Sequence, residues 1–179
     1  MFRRYPGDRF CQRLFVSSNV LFLLTAPAFA GAAPKQLYNK TISIVWVESI
    51  VEKSLDGRVV TPQTTQKRVV YVSSLGRIFD QRKSENRSGQ SLVEIAPDHA
   101  QAGASSFQGN SMTGISVHGG VARQVVASFD PSYSSCAATV TAGKSSAEPQ
   151  WTGLDGKTYI VEEIKVGQVS CTINDGNGL

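Results

Sequence analysis

Ser116 and His118 come nearest, by type and spacing, to a nucleophile and its base in this 179-residue chain. They stand two residues apart in Thr113-Gly-Ile-Ser-Val-His. If that run is a strand, alternation puts both side chains on one face, where a hydroxyl could pass its proton to an imidazole. Such a pair also needs an orienting group, and Asp130 could supply it only through the fold. The plainer reading makes His118 a polar residue beside the Gly119-Gly120 turn. Other catalytic patterns fail on spacing. Gly109-Asn-Ser-Met-Thr-Gly is one residue too long for a G-x-S-x-G nucleophile elbow, and no helix is expected after it. Glu162 and Glu163 are adjacent, so in a strand they point to opposite faces and form no carboxylate dyad. Asp175-Gly-Asn-Gly opens like a calcium loop but lacks the closing glutamate, and reads as a terminal turn. With two histidines, His99 and His118, soft ligands are too few for zinc, and neither a metal nor a cofactor is expected.

The compartment decides what the cysteines do, and residues 1–30 set the compartment. Arg3, Arg4, Arg9 and Arg13 make the amino end positive, and an apolar stretch interrupted by Ser17, Ser18, Asn19 and Thr25 follows. Its solid core, Val20 to Leu24, is far short of the roughly 20 apolar residues of a bilayer span. Pro27 and then Ala28-Phe29-Ala30 complete the tripartite pattern of a secretory signal, with cleavage expected after Ala30. The general secretory route fits better than the twin-arginine one, because Tyr5-Pro-Gly-Asp follows the arginines where an apolar continuation belongs. Four of the 18 basic and one of the 14 acidic residues leave with this segment, so the net charge falls from +4 to +1. The basic excess therefore belongs to targeting, and nucleic acid is not an expected partner. Arg77, Arg82, Lys83 and Arg87, interleaved with Asp80 and Glu85, read as a solvated strand edge and loop.

Cys11 leaves too, and Cys136 and Cys171 remain as an even pair in an exported chain, for which a disulfide is the expected state. Neither has a histidine within 15 residues or a C-x-x-C partner, which disfavours a nucleophilic or metal-binding role. Asn39 and Asn86 begin glycosylation sequons, which matter only in a eukaryotic host.

The 149 residues that remain suit one domain with a sizeable core. Val, Ile, Thr, Ser and Gly dominate them, without helical spacing of Leu, Ala or Glu. Thr41-Ile-Ser-Ile-Val-Trp-Val-Glu alternates as a strand with Ile42, Ile44 and Trp46 on one face, and both faces are apolar enough for a central position. Gly76 marks a hairpin turn between Lys67–Ser73 and Arg77–Arg82, and Gly119-Gly120 marks another. A last hairpin is expected about Gly167, between Thr158–Val166 and Gln168–Ile173. Residues 84–106, rich in Ser, Gly, Asn, Gln and Ala, read as a long mobile loop with a brief apolar interlude at Leu92–Ile95. The expected organisation is a signal at 1–30, a linker at 31–40 and one all-β domain over 41–179. That domain is an antiparallel sandwich or small barrel of about eight strands.

Lys40-Thr-Ile-Ser-Ile-Val-Trp-Val-Glu, Val70-Tyr-Val-Ser-Ser-Leu-Gly-Arg-Ile-Phe, Ser128-Phe-Asp-Pro-Ser-Tyr-Ser-Ser-Cys and Val169-Ser-Cys-Thr-Ile-Asn-Asp-Gly-Asn together resemble a family of small exported proteins of rhizobial alphaproteobacteria. The resemblance covers most of the chain after the signal and implies a bacterial periplasmic setting. The family has no established activity, so no catalytic residue carries over from it.

Three function classes follow. The leading one is a non-enzymatic periplasmic or secreted β-domain that binds a small ligand or an envelope protein, with Trp46, Tyr71, Phe79 and Phe129 lining a cavity or filling the core. The second is an enzyme of unrecognised type using His118 with Ser116. The third is a small outer-membrane β-barrel. Against the third stand nine aromatics for two girdles, short Gly-interrupted strands and a Gly178-Leu179 end, so no stable membrane insertion is expected after cleavage.

Overall fold

The computed structural model of the protein describes residues 32–86, 91–96, 105–153 and 155–179. The expected signal at 1–30, His99 and parts of the expected loop lie outside the described residues.

Among the described residues, a short 3₁₀ turn at Lys35–Leu37 precedes eleven strands. These are β1 (Lys40–Ser54), β2 (Val59–Val60), β3 (Gln63–Val72), β4 (Ile78–Asn86), β5 (Ser91–Ala96) and β6 (Ser106–Gln108), followed by β7 (Ser111–His118), β8 (Val121–Phe129), β9 (Cys136–Lys144), β10 (Trp151–Thr152) and β11 (Thr158–Asp175). Eight of them have six or more residues, matching the expected number. The strands form two antiparallel sheets, a curled larger one in the order β10-β11-β1-β3-β4-β5 with β2 beside β1, and a smaller one in the order β6-β7-β8-β9. The fold is all-β, as the composition required.

β1 is central, paired with β11 on one side and β3 on the other. Ile42, Ile44 and Trp46 point inward from it and meet Met112, Val125, Ala127 and Phe129 of the smaller sheet. A second, smaller cluster of Ile50, Val121 and Val161 is capped by Trp151. The residues read as a linker contribute to this packing, because Leu37 is fully buried in the main cluster and Ala33 almost so.

Two expectations need correction. The hairpin about Gly167 does not form: β11 runs unbroken through Gly167 along the whole of β1. The register slips between Trp46 and Glu48, so Gly167 sits at a bulge, where a Cβ would lie 3.4 Å from the Val47 carbonyl oxygen. A glycine inside a strand pattern can mark a bulge as well as a turn. Residues 84–106 are not one loop either, since β4 extends to Asn86 and the apolar interlude is strand β5, paired with β4 from Asp80↔Ala96 to Glu85↔Ser91.

Candidate functional site

The inward faces carry an alternation that turns polar partway along. On β1 the inward series Ile42, Ile44, Trp46 continues to Glu48, Ile50 and Glu52, all buried. On β8 Arg123 stands among inward Val121, Val125, Ala127 and Phe129. The two sheets therefore bring Glu48 and Arg123 face to face. Arg123 Nε donates to Glu48 Oε1 and Oε2 at 2.8 and 3.0 Å, and its Nη2 donates to Oε2 at 2.7 Å. Trp46 Nε1 donates to Oε1 at 2.7 Å, and Arg123 Nη1 reaches the carbonyls of His118 and Val121 at 3.2 and 3.3 Å. Glu48 is completely buried, so this full set of donors is what makes its charge tolerable there.

A second buried pair lies on β3 and β4. Arg68 Nε and Nη2 both donate to Asp80 Oδ2, which also accepts from the backbone N–H and hydroxyl of Ser105 at 2.9 Å each. Arg68 lies directly beneath Gly114 of β7, where a Cβ would fall 2.3 Å from the guanidinium carbon. Glycine at that position lets a planar cation lie against the backbone of the opposite sheet.

Glu52 is different. Its residue is 5% exposed, yet among the described residues no cation bonds it. Burial pushes its carboxyl up to about 7, and the nearby indole of Trp151 only partly opposes this. The indole N–H of Trp151 is itself buried without a partner at hydrogen-bonding distance. Trp151 is packed by Tyr159, with ring centroids 5.5 Å apart, and by the Gly119-Gly120 turn.

The outward face of the smaller sheet shows the reverse chemistry. It presents Thr113, Ile115 and Val117 from β7, Ala122, Gln124, Val126 and Ser128 from β8, and Ala137, Thr139 and Thr141 from β9. None of these carries a charge, and Ile115 and Val117 are 52% and 37% exposed. Two ion pairs, Glu48–Arg123 and Arg68–Asp80, are held inside the molecule, while this outer face is uncharged.

The residues singled out from sequence are placed as follows. Cys136 of β9 and Cys171 of β11 are joined by a disulfide that ties the two sheets, with Cα atoms 5.6 Å apart. Ser116 is 7% exposed and faces the interior, whereas His118 is exposed where β7 runs into its turn. Asp130 lies past the opposite end of β8, about 30 Å away at a strand rise of roughly 3.3 Å per residue. It is occupied there, accepting hydrogen bonds from Ser132, Ser134 and Ser135, which hold its carboxyl well below the usual carboxylate range. It cannot orient His118. The four aromatics do not share a cavity: Trp46 and Phe129 are core residues, while Tyr71 and Phe79 stack on each other on the far face of the larger sheet, under Arg77.

Sequence reading missed Glu48, Arg123 and Arg68, and it set Asp80 on a solvated strand edge where the structure buries it. The signal was present for two of them: Glu48 and Arg123 each interrupt an apolar inward series where alternation allows no exit to water, whereas Arg68 follows Gln66 and Asp80 precedes Arg82 in series that already read as polar. Among the described residues, no group of three His, Cys, Asp or Glu side chains is placed to hold a metal ion.

No family model, curated protein or solved structure matches this chain.

Proposed function

We propose that this protein is an exported, non-enzymatic β-domain that binds an envelope protein through the uncharged outer face of β7, β8 and β9. The observation that carries the reading is that face: three neighbouring strands place Thr, Ala, Val, Ile, Ser and Gln outward without one charged side chain. A solvated sheet face ordinarily carries Lys and Glu, as the larger sheet does with Lys53, Glu163 and Lys165, and a face without charge that exposes Ile115 and Val117 supports an interaction surface. The interior offers little to a small ligand, since Arg68, Arg123, Trp46 and the apolar clusters fill it. Inward apolar packing between two sheets also favours this reading over a membrane barrel, whose apolar band faces outward. Export is supported by the tripartite segment at 1–30, by the disulfide and by the resemblance to small exported rhizobial proteins.

The test is a photo-crosslinking residue introduced at Thr139 or Thr141, and in a control at Ser170 or Thr172 on the larger sheet, in the native host. Discrete adducts from the first pair alone are expected, in periplasmic material whose N-terminus is Gly31. Equal adducts from both faces, or an N-terminus at Met1, contradict the reading.

A further inference from the structure

We propose that the half of β7 beyond its pairing with β6, Gly114–His118, pairs antiparallel with its own copy in a second molecule, about a twofold axis at Ser116. β6 covers the edge of β7 only as far as Thr113, which pairs with Ser106; Ser105 before it donates its N–H to Asp80 of the larger sheet and not to β7. Beyond Thr113, β7 has no strand partner on that side among the described residues. The two-residue Gly119-Gly120 turn, both at positive φ, makes His118 and Val121 a hydrogen-bonded pair. Even-numbered residues of β7 thus spend their N–H and C=O on β8, and Ile115 and Val117 turn theirs to the open edge. Among the described residues, no backbone hydrogen bond reaches those groups from a turn or loop.

The edge selects a copy of itself in three ways. Antiparallel pairing about Ser116 sets Ile115 opposite Val117 of the second copy and the reverse, so each outward N–H meets a carbonyl and four backbone hydrogen bonds form. Side chains at these positions are β-branched, exposed and uncharged, so like meets like without repulsion. Lengths match as well: His118 of the copy faces Gly114, and the copy's chain turns away at Gly119, just where β6 blocks the edge at Thr113. A longer foreign strand would run into β6. The edge also lacks the Lys, Pro or bulge that ordinarily prevents such pairing. The result is a continuous eight-stranded sheet across two molecules, independent of the partner proposed above.

The ladder is short and its apolar contact small, which places the dimer in the weak range, with a dissociation constant on the order of 0.1–1 mM. Sedimentation equilibrium of the processed, disulfide-bonded protein from about 10 µM to about 1 mM is expected to show a rising fraction of twice the monomer mass. Over the same range, hydrogen exchange at Ile115 and Val117 is expected to slow. Val117→Pro removes one edge N–H without touching the β8 ladder, and Ile115→Lys adds a charge to the edge; each is expected to leave a monomer with unchanged near-UV circular dichroism. A protein monomeric throughout overturns the proposal, as does a dimer that survives both variants. Slowed exchange at Thr139 and Thr141 instead of Ile115 and Val117 also overturns it, by showing that the faces stack. If Val117→Pro fails to fold, Ile115→Lys and the exchange data decide.

Discussion

Glu48 and Glu52 show how two identical side chains, one helical pitch apart in number but in line on a strand, take opposite solutions to burial. Glu48 meets Arg123 and Trp46 and keeps its charge neutralised; Glu52 meets no cation among the described residues. Replacing Arg123 with Met leaves Glu48 buried and uncompensated, at an expected cost of about 3–5 kcal/mol in urea unfolding. Adding Glu48→Gln removes the stranded charge while keeping an acceptor for the Trp46 N–H, and more than half of that loss should return. For Glu52 the sign follows from linkage. Its carboxyl holds a proton to about 7 in the folded state against an ordinary 4.5, so the native protein binds more protons between these values. Stability therefore falls as pH rises from 4.5 through 7 and is flat above. Glu52→Gln should stabilise the protein at pH 8 by something on the order of 2–3 kcal/mol and make almost no difference at pH 4.5. All of these residues were readable in principle. Glu48 and Glu52 extend the series Ile42, Ile44, Trp46, and Arg123 interrupts Val121, Val125, Ala127, so each declares an inward side chain. Sequence cannot say which cation reaches which carboxylate, because that depends on how two sheets are set against each other.

Strands and turns were legible where a glycine had one possible role and illegible where it had two. Gly76, Gly119 and Gly120 adopt positive φ in tight hairpins, as their neighbours' alternation required. Gly167 stands between two equally alternating runs, and the same pattern serves a hairpin or a single bulged strand. What decides it is β1, which at fifteen residues is long enough to pair with both runs end to end. Gly114 has a third role, visible only once the sheets face each other: it clears space for Arg68. Gly114→Ala puts a methyl group into a guanidinium held by Asp80 and Ser105, so the arginine must give up part of that hydrogen bonding to move aside. The expected result is a loss of about 1–3 kcal/mol from overpacking, read as a lower urea midpoint with unchanged slope. Arg68→Lys in the same background separates the causes, since a thinner cation should relieve part of the clash introduced by alanine.

At the scale of the molecule, two sheets are held together by three kinds of cross-link: apolar packing at one end, the Glu48–Arg123 pair farther along, and one covalent bond at the side. β9 and β11 are not hydrogen-bonded to each other, so the sheets do not close into a barrel along that seam. The disulfide stands in place of a ladder there. Cys136↔Phe129 and Cys171↔Ile44 are cross-strand neighbours, which means the bridge connects the two sheets next to the main apolar cluster, not at a frayed end. It closes a 35-residue loop, and in the chain-entropy account such a cross-link contributes about 3–4 kcal/mol by restricting the unfolded chain. For a domain of this size that corresponds to a melting temperature lower by about 10 °C when both cysteines become alanine. The native sheets should persist below that temperature, because the replaced atoms sit beside a core that remains packed. Circular dichroism of the oxidised, reduced and double-alanine proteins distinguishes this from the alternative that the bond is needed to bring the sheets together. Equal melting temperatures would show that the seam is held by packing alone, and loss of the β signal at 25 °C would show that it is held by the bond alone.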